Sequence, residues 1–274
     1  MAATRPMTGP IGGPVRGRPL RRFVERSLPA LALLVALGVA WEVGVRVMDV
    51  PAYLLPAPSA VWAAFLHLRP TLSGHVIATV TAATAGLVLA AVAGAALAVA
   101  ITGLGLVRRV VYPLLVVSQT IPMIVLAPLL VAWFGFGLAP KVLVVALIGV
   151  FPIVVSTVDG IDSADRDVVD LVRSMGADRV DLVRHVLVPT ALPAFFAGLK
   201  IAAAYAMVGA VIAEWMGASA GLGLLLTRSQ ASFRVDQVFV GIALIALVSI
   251  GLFTIVRLLG RLATPWTITD EEQR

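Results

Sequence analysis

Residues 159–189, DGIDSADRDVVDLVRSMGADRVDLVRHVLVP, hold an unusual share of the side chains that could do chemistry. Eleven of the 36 Lys, Arg, Asp and Glu residues lie between Asp159 and Arg184, with long apolar runs on either side. Carboxylates at this density could hold a divalent cation if they faced one point. The pattern suits a different use. Val168, Leu171, Val172 and Met175 fall at i, i+3, i+4 and i+7, one face of a helix. Gly176 breaks that face, since a residue without Cβ can take the left-handed turn that ends a helix. Asp178 is a good N-cap for a second short helix with Asp181 in its first turn, and Pro189 closes the segment. Two amphipathic helices at a bend read as a docking device. A second polar cluster, uncharged, is Ser118, Gln119 and Thr120, just before Pro122 and Met123. Uncharged polar groups beside a helix break can line a solute path, or Gln119 can hydrogen-bond to a neighbouring helix.

Other chemistries find little support. No G-x-x-x-x-G-K-[ST] occurs, so ATP binding by a P-loop in this chain is excluded. There is no H-E-x-x-H and no G-x-S-x-G. The three histidines, His67, His75 and His185, are scattered, and no metal site or resident cofactor is expected. DGIDSADR is similar at first to the metal-binding run of membrane phosphotransferases that use CDP-alcohols. Ser163 and Ala164 hold the places of its Ala and Arg, however, and its later glycine and aspartates are out of register. Gly221 and Gly223 form a GxG without a nucleotide fingerprint and read as loop glycines. A passive channel or ion-coupled carrier would not need the charged loop, and would carry more ionisable groups at mid-span.

The elements that must position these residues are membrane helices. The chain has 274 residues, 60% hydrophobic and 13% charged, with a mean hydropathy of +1.01. A soluble core could not hide that much apolar surface. With no cysteine, disulfide scaffolds and thiolate metal sites are excluded. A net charge of +6 could attract nucleic acid, but most of the positive charge flanks apolar runs, where it sets orientation.

Residues 1–27 form an Arg-, Pro- and Gly-rich tail without apolar period, expected to be disordered. An uncleaved first span follows from Pro29 to about Met48, too long for the core of a signal peptide. Glu42 and Arg46 near its end form an i, i+4 pair that anchors topology. Residues 28–70 comprise this span and an outer segment, with a short helix from Ser59 to Leu68. Residues 71–261 carry five further spans, at about 75–102, 110–134, 141–157, 192–213 and 237–256, and residues 262–274 form a second tail. In the first of the five, Ala82, Gly86, Ala90, Gly94 and Ala98 make a small-residue stripe for close helix packing. Pro113, Pro122 and Pro128 bend or interrupt the second. Lys200, two turns into the fourth, snorkels toward the nearer surface. With both termini and the charged loop in the cytoplasm, 15 of the 21 Lys and Arg residues are inside and five outside. That split satisfies the positive-inside rule.

The loop resembles the E-A-A-x3-G-x9-I-x-L-P loop of the inner-membrane permeases of ABC importers. Asp170, Leu171 and Val172 take the E-A-A places, Gly176 and Ala177 the turn, and Val186, Val188 and Pro189 the I, L and P. The departures are Asp for Glu and bulkier apolar residues for the alanines. SQTIPMIVLAPLLVAWFGFG, residues 118–137, is similar to the branch serving nitrate, sulfonates, taurine and pyrimidine precursors of thiamine. The resemblance implies an all-α membrane protein of six transmembrane helices, with the type I importer permease fold and a cytoplasmic coupling-helix loop. It implies a bacterial plasma-membrane permease acting as a homodimer. It further implies a cytoplasmic ATPase dimer that binds the ATP, and an extracytoplasmic substrate-binding protein. A thiamine pyrimidine precursor is the expected solute, with sulfonate, taurine or nitrate as alternatives.

Overall fold

A computed structural model describes residues 19–267; the far ends of both expected tails lie outside the described residues. The described chain is helical. Helix α1 (Pro19–Val47) leads through a short turn to α2 (Pro58–Gly103). Next come α3 (Gly105–Ser118), α4 (Met123–Phe134) and α5 (Leu138–Asp162). The charged stretch contributes α6 (Arg166–Ser174) and α7 (Arg179–Leu182), then a π turn over Val183–Leu187. The last elements are α8 (Val188–Glu214), α9 (Leu222–Ala231), α10 (Val235–Ala263) and a closing 3₁₀ turn (Pro265–Thr267).

Four helical stretches are long and apolar enough to cross a membrane: 58–103, 138–162, 180–214 and 235–263. Helices α3 and α4 supply a fifth if counted together, although they meet at 102°. Of the three prolines there, only Pro122 interrupts the helix, Pro113 and Pro128 lying within α3 and α4, and the single span expected at 110–134 becomes a sharply bent pair. Pro122 sits at the break with an extended backbone, φ −62° and ψ 125°, a conformation that cannot continue a helix.

Helices α2, α5 and α8 form the core, and small residues let them approach. Ala82, Ala90 and Ala98 are fully buried on α2. A Cβ added at Gly86 would lie 2.4 Å from Val145 Cβ, and one at Gly94 would lie 2.7 Å from Ile153 Cγ2. The stripe read from sequence therefore seats α2 on α5. Beside that contact on α5, a Cβ at Gly198 of α8 would come within 2.5 Å of Pro152 O. Helix α10 covers α8 and α2, while α1 stays at the periphery with Trp41 against Phe239, ring centroids 5.4 Å apart.

Three boundaries differ from the sequence reading. Helix α1 begins at Pro19, so the last residues of the tail expected to be disordered are helical. The short helix expected at Ser59–Leu68 is not separate: α2 runs 46 residues through Pro70 without a break. Ala64 and Leu72, on either side of that proline, are buried against the core, and this packing carries the helix across the missing hydrogen bond. Pro189 does not close the loop. The helix runs on from α7 into α8, and the π turn lies just before the proline. Pro189 has no N–H and its ring crowds the carbonyl four residues back, so a widened turn accommodates it without ending the helix.

Candidate functional site

The charged stretch forms a compact elbow at one end of the bundle. Asp165 caps α6 by accepting from the Asp167 N–H at 2.9 Å. After Ser174 the chain turns through Gly176 at φ +88°. There the Ala177 N–H reaches back to Val172 O at 3.3 Å and the Gly176 N–H to Arg173 O at 2.9 Å. Asp178 then starts α7: its Oδ1 accepts from the N–H groups of Val180 and Asp181, both at 2.8 Å. The Asp178 N–H in turn donates to Asp181 Oδ2 at 3.4 Å, a reciprocal cap. These bonds fix the angle between the arms.

The elbow turns apolar side chains outward. Leu171 is 60% exposed, Met175 78% and Val180 70%, while Val172 and Ala177 are half-buried. Asp170 is exposed and pairs with Arg173 at 3.4 Å. Beyond the bend, Val186 is buried, Val188 exposed and Pro189 half-buried. The predicted loop residues thus divide: those around Gly176 face outward, and Val186 roots the elbow in the bundle.

Behind the elbow lies a cavity of about 390 Å³, lined by Val99 and Thr102 of α2, Thr157 and Asp162 of α5, and Val183 and Leu187 of the π turn. Asp162 also accepts from Arg108 Nη2 at 2.6 Å, tying the end of α5 to the start of α3.

Ser118, Gln119, Thr120, Pro122 and Met123 come together at the α3–α4 bend. The Ser118 and Thr120 hydroxyls each donate to the backbone three residues earlier, Leu115 O and Val117 O, at 2.7 Å. Gln119 Nε2 reaches only the adjacent Ser118 Oγ, at 3.4 Å, so the interhelical bond weighed from sequence is not made within the described residues. Gln119, Thr120 and Pro122 are exposed, Ser118 and Met123 partly so.

Two constellations were not legible in sequence. At the start of α2, Ser59 donates its N–H to Glu42 Oε2 at 3.0 Å and its hydroxyl to Glu42 Oε1 at 2.8 Å. The expected Glu42–Arg46 pair, with Arg46 Nε 2.7 Å from Glu42 Oε1, therefore also caps the next helix. At the end of the bundle remote from the elbow, Glu214 is 1% exposed. Its carboxylate accepts from Thr79 Oγ1 at 2.9 Å and the Gly223 N–H at 2.8 Å, and lies 3.5 Å from Lys141 Nζ. Gly223, read as a loop glycine, opens α9; a Cβ there would sit 2.7 Å from Val211 O. A Lys, a Glu and a Thr in otherwise apolar helices, beside ASAGLG, were the available signal.

Comparison with known proteins fits this architecture. The profile of the family described as "Binding-protein-dependent transport system inner membrane component" matches residues 86–268. The chain is 38% identical to the formylaminopyrimidine transport permease protein ThiX of Halalkalibacterium halodurans, covering 90% of this chain and 98% of that one. It is 36% identical to the riboflavin transport system permease protein RibX of Chloroflexus aurantiacus, covering 92% and 94%. Identity to the taurine transport system permease protein TauC of Escherichia coli is 31%, covering 90% and 92%. A crystal structure of an amino acid ABC transporter shares the fold at a TM-score of 0.60 and 16% identity, over 73% of this chain and 97% of that one. The chain belongs to the binding-protein-dependent ABC transporter permeases, as a multi-pass membrane protein of the branch read from residues 118–137.

Proposed function

We propose that this chain is the permease subunit of an ATP-driven importer, in which a cytoplasmic ATPase dimer grips the elbow at Gly176. The observation that carries this reading is the row Leu171, Met175 and Val180, exposed at the tip of a doubly capped elbow. An apolar helix face held at a fixed angle fits a groove on a soluble partner. Val186 and the run of α7 into α8 pass any displacement of the elbow into the bundle. Two copies line the path, with the α3–α4 bend contributing Ser118, Gln119 and Thr120. An extracytoplasmic binding protein delivers the solute.

On this reading α1 and the bent pair complete six spans, both termini face the cytoplasm of a bacterial cell, and ATP binds only to the partner. The solute is a pyrimidine precursor of thiamine or a related heterocycle. The relatives that transport formylaminopyrimidine and riboflavin support that choice, and the exposed residues at the bend are uncharged. The taurine permease supports a second reading, a sulfonate importer. Vesicles holding this chain, the ATPase and the binding protein should accumulate a labelled aminopyrimidine only with ATP. Accumulation without the ATPase refutes the importer. Competition by taurine but not by pyrimidines selects the second reading.

A further inference from the structure

We infer that Glu214 is a positioning residue for transport: its carboxylate clamps α2, α5, α8 and α9 into one body at the end remote from the elbow. A carboxylate in a membrane bundle is costly to bury, so packing alone does not explain it. Its acceptor sites are spent on three other helices: Thr79 Oγ1 of α2 at 2.9 Å, Gly223 N–H of α9 at 2.8 Å, and Lys141 Nζ of α5 at 3.5 Å. Lys141 and Thr79, together with His75, also hold the turn at residues 215–222. Lys141 Nζ donates to Ala220 O at 3.1 Å, the Gly221 N–H to His75 Nδ1 at 3.1 Å, and the Leu222 N–H to Thr79 Oγ1 at 2.8 Å.

Apolar contacts such as Gly86 on Val145 set how closely two helices approach, whereas hydrogen bonds add fixed lengths and directions. The clamp adds those directions to the apolar packing. Opening at this end therefore separates the clamped body from the α3–α4 pair or from a second copy, and does not part α2 from the 215–222 turn.

The inference rests on the importer reading but is tested apart from it. The chain has no native cysteine, and both Ile77 and Ser219 are exposed. Spin labels at Ile77→Cys and Ser219→Cys should give one narrow distance, unchanged when the ATPase is added and ATP is trapped. E214A, which removes the acceptor of all three contacts, should broaden that distribution and cut uptake by roughly tenfold or more. E214Q, which keeps one acceptor oxygen but turns an NH2 donor toward either the Gly223 N–H or Lys141, should restore both only in part. Because E214A could fail to fold, Thr79→Val, which removes one hydroxyl, must broaden the distribution as well. A label distance that shifts on ATP trapping overturns the clamp, as do E214A vesicles that match the wild type in both distance and uptake. Absence of wild-type uptake would count against the importer alone, since distance widths in the isolated permease still decide the clamp.

Discussion

No atom lies within 4 Å of the place a Cβ would take at Gly176. The cost of a side chain there is purely one of backbone, because φ is +88°. A β-branched residue in that region is strained by about 1–2 kcal/mol. Gly176→Val should therefore leave the protein folded in the membrane and alter the angle of the elbow. The expected readout is normal yield and a melting temperature lowered by at most a few degrees, with ATP hydrolysis no longer yielding uptake; full uptake by this variant would remove the elbow from the mechanism. Gly176 and the Asp178 cap were legible in sequence because their partners lie within a few residues. Glu214 was not. Its Thr79 partner is 135 positions away, and no local pattern announces a contact of that range.

At the scale of elements, α6 is held by its cap more than by burial, since none of its residues is buried, whereas α7 adds the buried Leu182 to the Asp178 cap. A charge on the exposed face should thus cost little stability. Met175→Glu, at a side chain 78% exposed, is expected to change stability by less than about 0.5 kcal/mol. It should weaken pull-down of the ATPase roughly tenfold, as loss of a buried interface anchor does. Retained binding would show that the partner docks elsewhere. Helix existence was readable from apolar period and proline placement, whereas continuity was not. Pro70, Pro122 and Pro189 look alike in sequence, yet one lies inside a continuous helix, one marks a 102° bend and one follows a π turn. The difference lies in what packs beside each proline, which the chain order does not state.

For the whole molecule, stability depends on backbone-to-backbone approach among α2, α5 and α8. Gly198→Val is the sharpest test, because the new side chain meets Pro152 O at 2.5 Å and Ile153 Cα at 2.9 Å, neither of which can swing aside. Overpacking of this kind costs about 1–3 kcal/mol. The variant should melt several degrees lower in detergent, or fail to accumulate in the membrane; an unchanged melting curve would contradict the packing. A last consequence concerns sheer length. At ~1.5 Å per residue, the 46 residues of α2 reach about 70 Å, against roughly 40–45 Å for a bilayer with its headgroups. Even at a tilt of about 20°, an unbent α2 is some 20 Å longer than the bilayer is thick. A few degrees of rocking at mid-membrane would sweep the end near Trp62, braced by the Ser59–Glu42 bonds, through several ångströms. The bundle thus carries a stiff outrigger on which a motion too small to see inside the lipid could be followed from the water.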